Sequence, residues 1–281
     1  MNTELYSKYN VPGPRYTSYP TVPYWEEDKF TAPGWQHAFK EAFSLTNATD
    51  GISLYLHLPF CESLCTFCGC NKRITKNHGV ETDYLQALLK EWDLYCQQFT
   101  ERPRIREIHL GGGTPTFFSA RNLARIIDGI FEKAERTPDA VFGLEGHPNH
   151  TSLEQLQVLY RLGFRRISFG IQDFDPVVQD MIHRVQTFEQ VQKVTDQARA
   201  TGFTSINYDI IYGLPLQRLE SVVDTMQKTA LLKPDRIAFY SYAHVPWIKG
   251  LGQRKFTEAD LPKAAAKRNL YETGRQMLED I

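Results

Sequence analysis

From residue 52 onward the chain repeats one arrangement. A short β-branched or apolar run gives way to a polar loop. The loop leads into a segment with apolar residues three and four apart. The runs cover residues 52–58, 105–110, 141–145, 166–171, 205–212 and 236–242. Their length and their flanking loops predict strands. Helical spacing follows in Leu85, Leu88, Leu89, Trp92, Cys96 and Phe99, in Leu123, Ile126, Ile127, Ile130, Phe131 and Ala134, and in Val191, Val194 and Ala198. Thr151 with Glu154, and Thr187 with Gln190, fit the reciprocal capping box of a helix start. Gly163 and Gly202 stand where a left-handed turn would end a helix just before the next strand.

Strands alternating with helices predict parallel pairing through right-handed crossovers, and so an α/β fold. About six such units fit either an open doubly wound sheet or a partial (β/α)6 barrel with parallel strands. In both, ligands meet the C-terminal ends of the strands. Before this array, Pro12, Pro14, Pro20, Pro23 and Pro33 exclude a long helix. Tyr16, Tyr19, Tyr24 and Trp25 predict an extended but packed arm. Residues 261–281 predict one more helix. The chain stops there with no capping glycine or polar tail, which reads as a fragment of a longer chain. The expected division is 1–50 for the arm and a lead-in helix, and 51–281 for the α/β core, truncated at its C-terminal end.

Charge narrows the partners. Lys and Arg number 32 against 33 Asp and Glu, a formal net charge of -1. That balance argues against nucleic-acid binding and against a polybasic membrane anchor. No apolar run approaches the roughly 20 residues of a membrane span. The first residues carry no apolar signal core, so a cytoplasmic location is expected.

Cysteine changes the picture most. Of 5 cysteines, four fall within ten residues: Cys61, Cys65, Cys68 and Cys70. A disulfide framework would spread them, whereas a tight cluster reads as metal binding or redox chemistry. Cys61, Cys65 and Cys68 form C-x3-C-x2-C directly after the first strand. Three thiolates can wrap three corners of a cubane iron–sulfur cluster and leave one iron open. The alternative is a zinc knuckle with Cys70 as fourth ligand, although no second ligand pair exists elsewhere. Cys96 lies on an apolar helix face and reads as a small buried hydrophobe. The glycines of Gly111-Gly-Gly-Thr-Pro115 would let a backbone approach a ligand, or would form a plain turn.

C-x3-C-x2-C after the first strand of a βα array resembles the signature of the radical S-adenosylmethionine superfamily. The chain is similar over nearly its whole length to one branch, the oxygen-independent coproporphyrinogen III oxidases. The matching segments are Gly13-Pro-Arg-Tyr-Thr-Ser-Tyr-Pro-Thr21, Tyr55-Leu-His-Leu-Pro-Phe-Cys61, Cys68-Gly-Cys70-Asn-Lys72, Leu110-Gly-Gly-Gly-Thr-Pro-Thr116, Gly170-Ile-Gln-Asp-Phe174, Asp209-Ile-Ile-Tyr-Gly-Leu-Pro215 and Tyr242-Ala-His244. The arm and Cys-Gly-Cys mark this branch, since its heme-chaperone relatives usually lack both. One departure is Glu145-Gly-His-Pro148, where many members have Glu-Val-Asp-Pro.

The resemblance implies a radical-SAM-type partial barrel without the substrate-covering C-terminal domain that the family carries. It implies a 4Fe-4S cluster on Cys61, Cys65 and Cys68, and two molecules of S-adenosylmethionine. Tyr55, Gly112 and Glu145 match contacts to the cluster-bound molecule. Phe67, Gly113, Thr114, Gln172, Arg184, Asp209 and Ala243 match contacts to the second. The implied reaction is oxidative decarboxylation of two propionates of coproporphyrinogen III to the vinyls of protoporphyrinogen IX by a 5′-deoxyadenosyl radical. It would need a tetrapyrrole substrate and a small electron-donor protein, and it would run in a monomer. Arg15, Lys72 and Arg73 are candidate partners for substrate carboxylates. A heme-binding chaperone or a heme-processing radical enzyme on the same scaffold is the alternative.

Overall fold

Six strands form one all-parallel sheet: β1 (Ile52–Leu58), β2 (Arg104–Gly112), β3 (Glu135–Gly146), β4 (Phe164–Gln172), β5 (Ser205–Tyr212) and β6 (Arg236–Ser241). The computed structural model describes residues 8, 21, 24–26, 30–245 and 252–279. The proline-rich motif 13–20, with Arg15, Tyr16 and Tyr19, lies outside the described residues, as do Pro12, Pro23 and the last two residues. Tyr24 and Trp25 are described. They stand 73% and 56% exposed.

The strands lie side by side in chain order, β1 through β6, with no reversal. That order decides between the two architectures. A doubly wound sheet reverses direction at a switch point, whereas steady addition on one side winds toward a barrel. Crossovers of one hand then put every connecting helix on the same face. These helices are α2 (Val80–Cys96), α3 (Ala120–Phe131), α4 (Leu153–Arg161), the short α5 (Pro176–Met181), α6 (Phe188–Thr201) and α7 (Leu219–Leu232). The lead-in helix α1 (Ala32–Thr46) precedes β1, and α8 (Ala264–Glu279) follows β6.

Alternation along each strand separates the two faces. Leu58, Ile108, Leu110, Phe142, Leu144, Ile167, Phe169, Ile206, Tyr208 and Ile210 are buried against the helices. In α3, Leu123, Ile126, Ile127 and Ile130 supply one fully buried stripe. The other set of positions is polar: Ser53, Tyr55, Glu107, His109, Glu145, Arg166, Ser168, Asn207 and Asp209. Those residues line the helix-free concave side, so the sheet carries its hydrophobic core outside the curve and its polar groups within.

Caps follow the sequence with one shift. Thr187 and Gln190 form the box at α6. At α4 the box belongs to Ser152 and Gln155, one residue later than Thr151 and Glu154. Thr151 instead donates its hydroxyl to His147 O at 2.9 Å. Gly163 and Gly202 take φ of 101° and 111°, the left-handed turns expected of them. β3 begins six residues before its apolar run, because Glu135 and Arg136 already pair with Arg104 and Ile105. Register jumps from Ile105↔Arg136 to Glu107↔Val141, which leaves a bulge around Pro138. Pro262 likewise holds the last helix back to Ala264. Phe99 lies beyond the end of α2, where it stacks on Phe43 of α1 at 4.0 Å.

Asp173, fully buried after β4, ties two strand ends together. It accepts from Asp175 N at 2.7 Å, Gln217 Nε2 at 2.6 Å and Thr225 Oγ1 at 3.0 Å. Gln217 in turn accepts from Gly213 N at 2.6 Å after β5. Burial pushes the Asp173 carboxyl up to about 6 despite these donors. A folded-state pKa above the unfolded value means that the unfolded chain loses this proton first. Stability should therefore fall as pH rises from about 4 to about 6, by up to roughly 3 kcal/mol, and then level off. Urea unfolding across that range should show the slope, and Asp173→Asn should flatten it.

Candidate functional site

All six strands point their C-terminal ends to one rim, and the cysteine loop rises from it directly after β1. Its stem is a two-residue parallel pair, Phe60–Cys61 against Arg73–Ile74. Pro59 O accepts from Arg73 N at 2.8 Å, and Cys61 O from Thr75 N at 2.9 Å. Within the loop each thiol has its own donor. Thr114 Oγ1 donates to Cys61 Sγ at 3.3 Å, Arg184 Nη1 to Cys65 Sγ at 3.6 Å, and Cys70 N to Cys68 Sγ at 3.4 Å.

The thiols share one environment. Burial pushes Cys61 up, the Thr114 hydroxyl pulls it down, and Cys68 and Cys65 are close enough to raise it by charge. The Cys70 thiol donates to Cys68 and holds that group down at about 6 against burial, with Lys72 assisting. Cys70 is pushed up for the same reason, because it serves as the donor of the pair, and burial raises it further. Lys72 Nζ is itself bound to Cys68 O and Cys70 O, at 3.3 and 3.2 Å. It acts on the loop rather than standing free for a substrate carboxylate. Arg73 is exposed on the stem.

Among the described residues no three His, Cys, Asp or Glu side chains converge tightly enough for a single metal ion. A cubane makes a different demand, with ligands on separate iron corners. Three thiols from one loop, each with an independent hydrogen-bond donor, match that demand. Cys96 is remote on α2, partly buried, and burial raises its thiol.

The β2 end passes close beneath the loop. Gly113 N donates to Leu58 O at 2.9 Å and Thr114 N to Phe60 O at 3.0 Å. A Cβ on Gly113 would stand 2.5 Å from Pro59 O, so only glycine permits the approach. Gly112 adopts φ of 117° and donates its N–H to Glu145 Oε2 at 3.3 Å. Glu145 lies 3.6 Å from His109 Nε2. Tyr55 stacks on His109 and stands half exposed above the sheet.

His57 carries a signal that the sequence reading passed over. Its Nε2 meets the Asn71 carbonyl at 2.9 Å, so that nitrogen bears the proton. Nδ1 is then an acceptor, and the Tyr55 hydroxyl donates to it at 3.2 Å. His57 thus fastens the far side of the cysteine loop to β1.

On the opposite arc, Ser168 Oγ donates to Asp209 Oδ2 at 3.0 Å, and Asn207 Nδ2 donates to Asp209 Oδ1 at 2.9 Å. Burial raises the Asp209 carboxyl, Ser168 lowers it, and nearby Glu145 raises it again. Glu145 pairs in register with Ser168, and Asp209 with Gly170, so the two acids face one mouth. Gln172 is buried with φ of 67°. Arg184 follows α5, and its Nε and Nη2 both donate to Gly170 O, at 3.1 and 2.6 Å. The guanidinium therefore forks a backbone carbonyl while its third nitrogen reaches Cys65. Ala243 lies two residues past β6. His147, at the departure beside Glu145, caps the 148–150 turn by accepting from Asn149 N at 3.1 Å. Burial, then Arg184, keeps it neutral.

The site is thus a cysteine loop on the first strand of a parallel (β/α)6 array, opening toward converging strand ends. Residues 55–229 match the family model of the radical SAM superfamily. The chain belongs to the radical SAM superfamily. It is 42% identical over 280 residues to the oxygen-independent coproporphyrinogen III oxidase of Helicobacter pylori strain J99, covering 99% of this chain and 61% of that protein. With the Escherichia coli K12 protein of the same name it shares 39% over 268 residues, 95% of this chain and 57% of that one. The solved radical SAM enzyme coproporphyrinogen III oxidase (HemN) from Escherichia coli superposes with a TM-score of 0.87 at 35% identity, over 99% of this chain and 61% of that chain. The chain thus spans about three fifths of the length of these relatives. No helix among the described residues is long and apolar enough to cross a membrane.

Proposed function

We propose that this chain is the barrel part of an oxygen-independent coproporphyrinogen III oxidase, which decarboxylates two propionates of coproporphyrinogen III to give protoporphyrinogen IX. The observation that carries the reading is the cysteine loop. Its three thiols have separate donors on Thr114, Arg184 and Cys70, and it opens to the rim that holds Glu145 and Asp209. Cys61, Cys65 and Cys68 would hold a 4Fe-4S cluster. Tyr55, Gly112 and Glu145 would contact the S-adenosylmethionine bound to it. Phe67, Gly113, Thr114, Gln172, Arg184, Asp209 and Ala243 would contact a second molecule. When bound, these groups supply one-electron cleavage of a sulfonium and so the means to remove a hydrogen atom.

The chain's own residues shape that chemistry. Thr114 and Arg184 direct donors at sulfur, which stabilises thiolate ligands and tunes a cluster's potential. Glu145 and Asp209 offer acceptors for an amine or for ribose hydroxyls. The expected partners are a tetrapyrrole and a small electron-donor protein, for a monomer in the cytoplasm. Residues 1–50 would serve as arm and lead-in helix to the core at 51–281.

The test is anaerobic reconstitution of the full-length protein containing this chain, with mass spectrometry of the tetrapyrrole products. The expected product has lost two carboxyl groups and gained two vinyls. Heme binding with no vinyl product would point to a chaperone. Radical turnover of heme alone would point to a heme-processing enzyme.

A further inference from the structure

Residues 252–256 reach the cysteine loop from beyond β6. Gly252 N donates to Cys68 O at 3.0 Å, and Arg254 N to Thr66 O at 3.3 Å, an antiparallel pairing of two short backbone stretches. A Cβ on Gly252 would stand 2.8 Å from Cys65 O and 2.9 Å from Leu64 Cδ1, so this contact also depends on glycine. Phe256 anchors the strap in a small apolar cluster with Val178, Ile182, Leu214 and Tyr242, on which Phe67 packs.

Between the two backbone bonds sits Gln253. Its Nε2 donates to Ala243 O at 2.8 Å and to Phe67 O at 3.3 Å. Its Oε1 accepts from Val245 N at 2.6 Å. One planar amide thereby uses both donors and its acceptor. Its partners come from opposite ends of the sheet, Phe67 from the loop after β1 and Ala243 and Val245 from the chain after β6. β1 and β6 are the terminal strands in the sheet order. Beside the two backbone bonds, Gln253 therefore adds a side-chain tie across the open side of the partial barrel at its mouth, where, among the described residues, the sheet itself does not join β1 to β6.

We infer that Gln253 is a positioning residue for the cofactor pocket. It holds the backbones of Phe67 and Ala243 at a fixed separation and so sets the width of the mouth on its open side. This rests on the proposed function, because those two positions match contacts to S-adenosylmethionine. The amide is specific to the task. A carboxylate would face two carbonyl oxygens with its own charge, and a thioether of the same length would satisfy none of the three partners.

Gln253→Glu and Gln253→Met test this. Amide hydrogen exchange of the unloaded chain is followed in peptides covering 64–68 and 252–256, with β5 as an internal reference. Both variants should raise exchange in the first two peptides about tenfold, the effect of losing a part-buried hydrogen-bonded tie. β5 should stay unchanged. Gln253→Glu keeps the group polar and guards against a general loss of fold in Gln253→Met. After anaerobic reconstitution, iron content should match the parent while the Kd for S-adenosylmethionine rises about tenfold. Unchanged exchange at 64–68 in folded Gln253→Glu overturns the inference. Raised exchange with an unchanged Kd also overturns it, by reducing Gln253 to a structural tie. A parent chain that takes up no iron, yet shows the exchange difference, overturns the functional reading and leaves the tie in place.

Discussion

Cys61→Ala, Cys65→Ala and Cys68→Ala should each abolish iron uptake, whereas Cys70→Ala and Cys96→Ala should retain it. The three thiols lie in one loop within mutual electrostatic reach, and each accepts from a separate donor. With one thiolate removed, a cubane keeps only two anchors, and chelation by the loop fails as a unit rather than by thirds. Cys70 differs in kind. The bond it gives Cys68 Sγ comes from its backbone N–H, which alanine keeps. Iron and sulfide analysis after anaerobic reconstitution reads the outcome, with circular dichroism to show that each variant folds. Loss of iron in folded Cys70→Ala would make it a fourth ligand and would sink the open-site assignment.

Gly113→Ala should lower stability by about 2–3 kcal/mol and remove most iron uptake. Its Cβ would sit 2.5 Å from Pro59 O and 2.6 Å from Pro59 C. Both are backbone atoms, so no rotamer change relieves the clash. Either β2 or the stem of the cysteine loop must move, and the bonds Gly113 N to Leu58 O and Thr114 N to Phe60 O part with it. Gly69 is the matched control. It lies in the cysteine loop directly after Cys68, yet a Cβ there meets nothing within 4 Å. Gly69→Ala should leave both stability and iron unchanged. Chemical denaturation and iron content of the two variants check the contrast, and equal losses at both positions would contradict it.

That pair of glycines also marks where the sequence stops being legible. Strand and helix order could be read because the apolar periods of two and of three to four are long and regular. The cysteine spacing could be read because its ligands are local. The strand order needed coordinates, since periodicity says which face is buried but not on which side the next strand is added. β3 was legible only in its apolar half, because Pro138 and the bulge around it carry no strand pattern. The roles of His57, Ser168, Asn207 and Gln253 were not legible. Each acts on a group that is remote in sequence or through backbone atoms, and Gln253 meets Phe67 across 186 positions of chain. Arg184 was legible as a residue of interest, but its actual targets, a carbonyl and a sulfur, have no mark in the sequence.

The tautomer of His57 gives the mouth a direction. Its Nε2 proton is committed to the Asn71 carbonyl, so the Tyr55 hydroxyl proton is committed to Nδ1. What Tyr55 has left to offer a visitor is lone pairs. Glu145 and Asp209 add more of the same sign, while Thr114, Arg184 and the Cys70 amide hold their protons toward the sulfurs. Acceptors therefore gather on the strand side, while these donors are spent on sulfur. The strand side is set to receive a donor such as an amine. An electron-rich group turned toward it would meet like with like, a mismatch costing several kcal/mol. Head and tail are distinguished before any bond is made or broken.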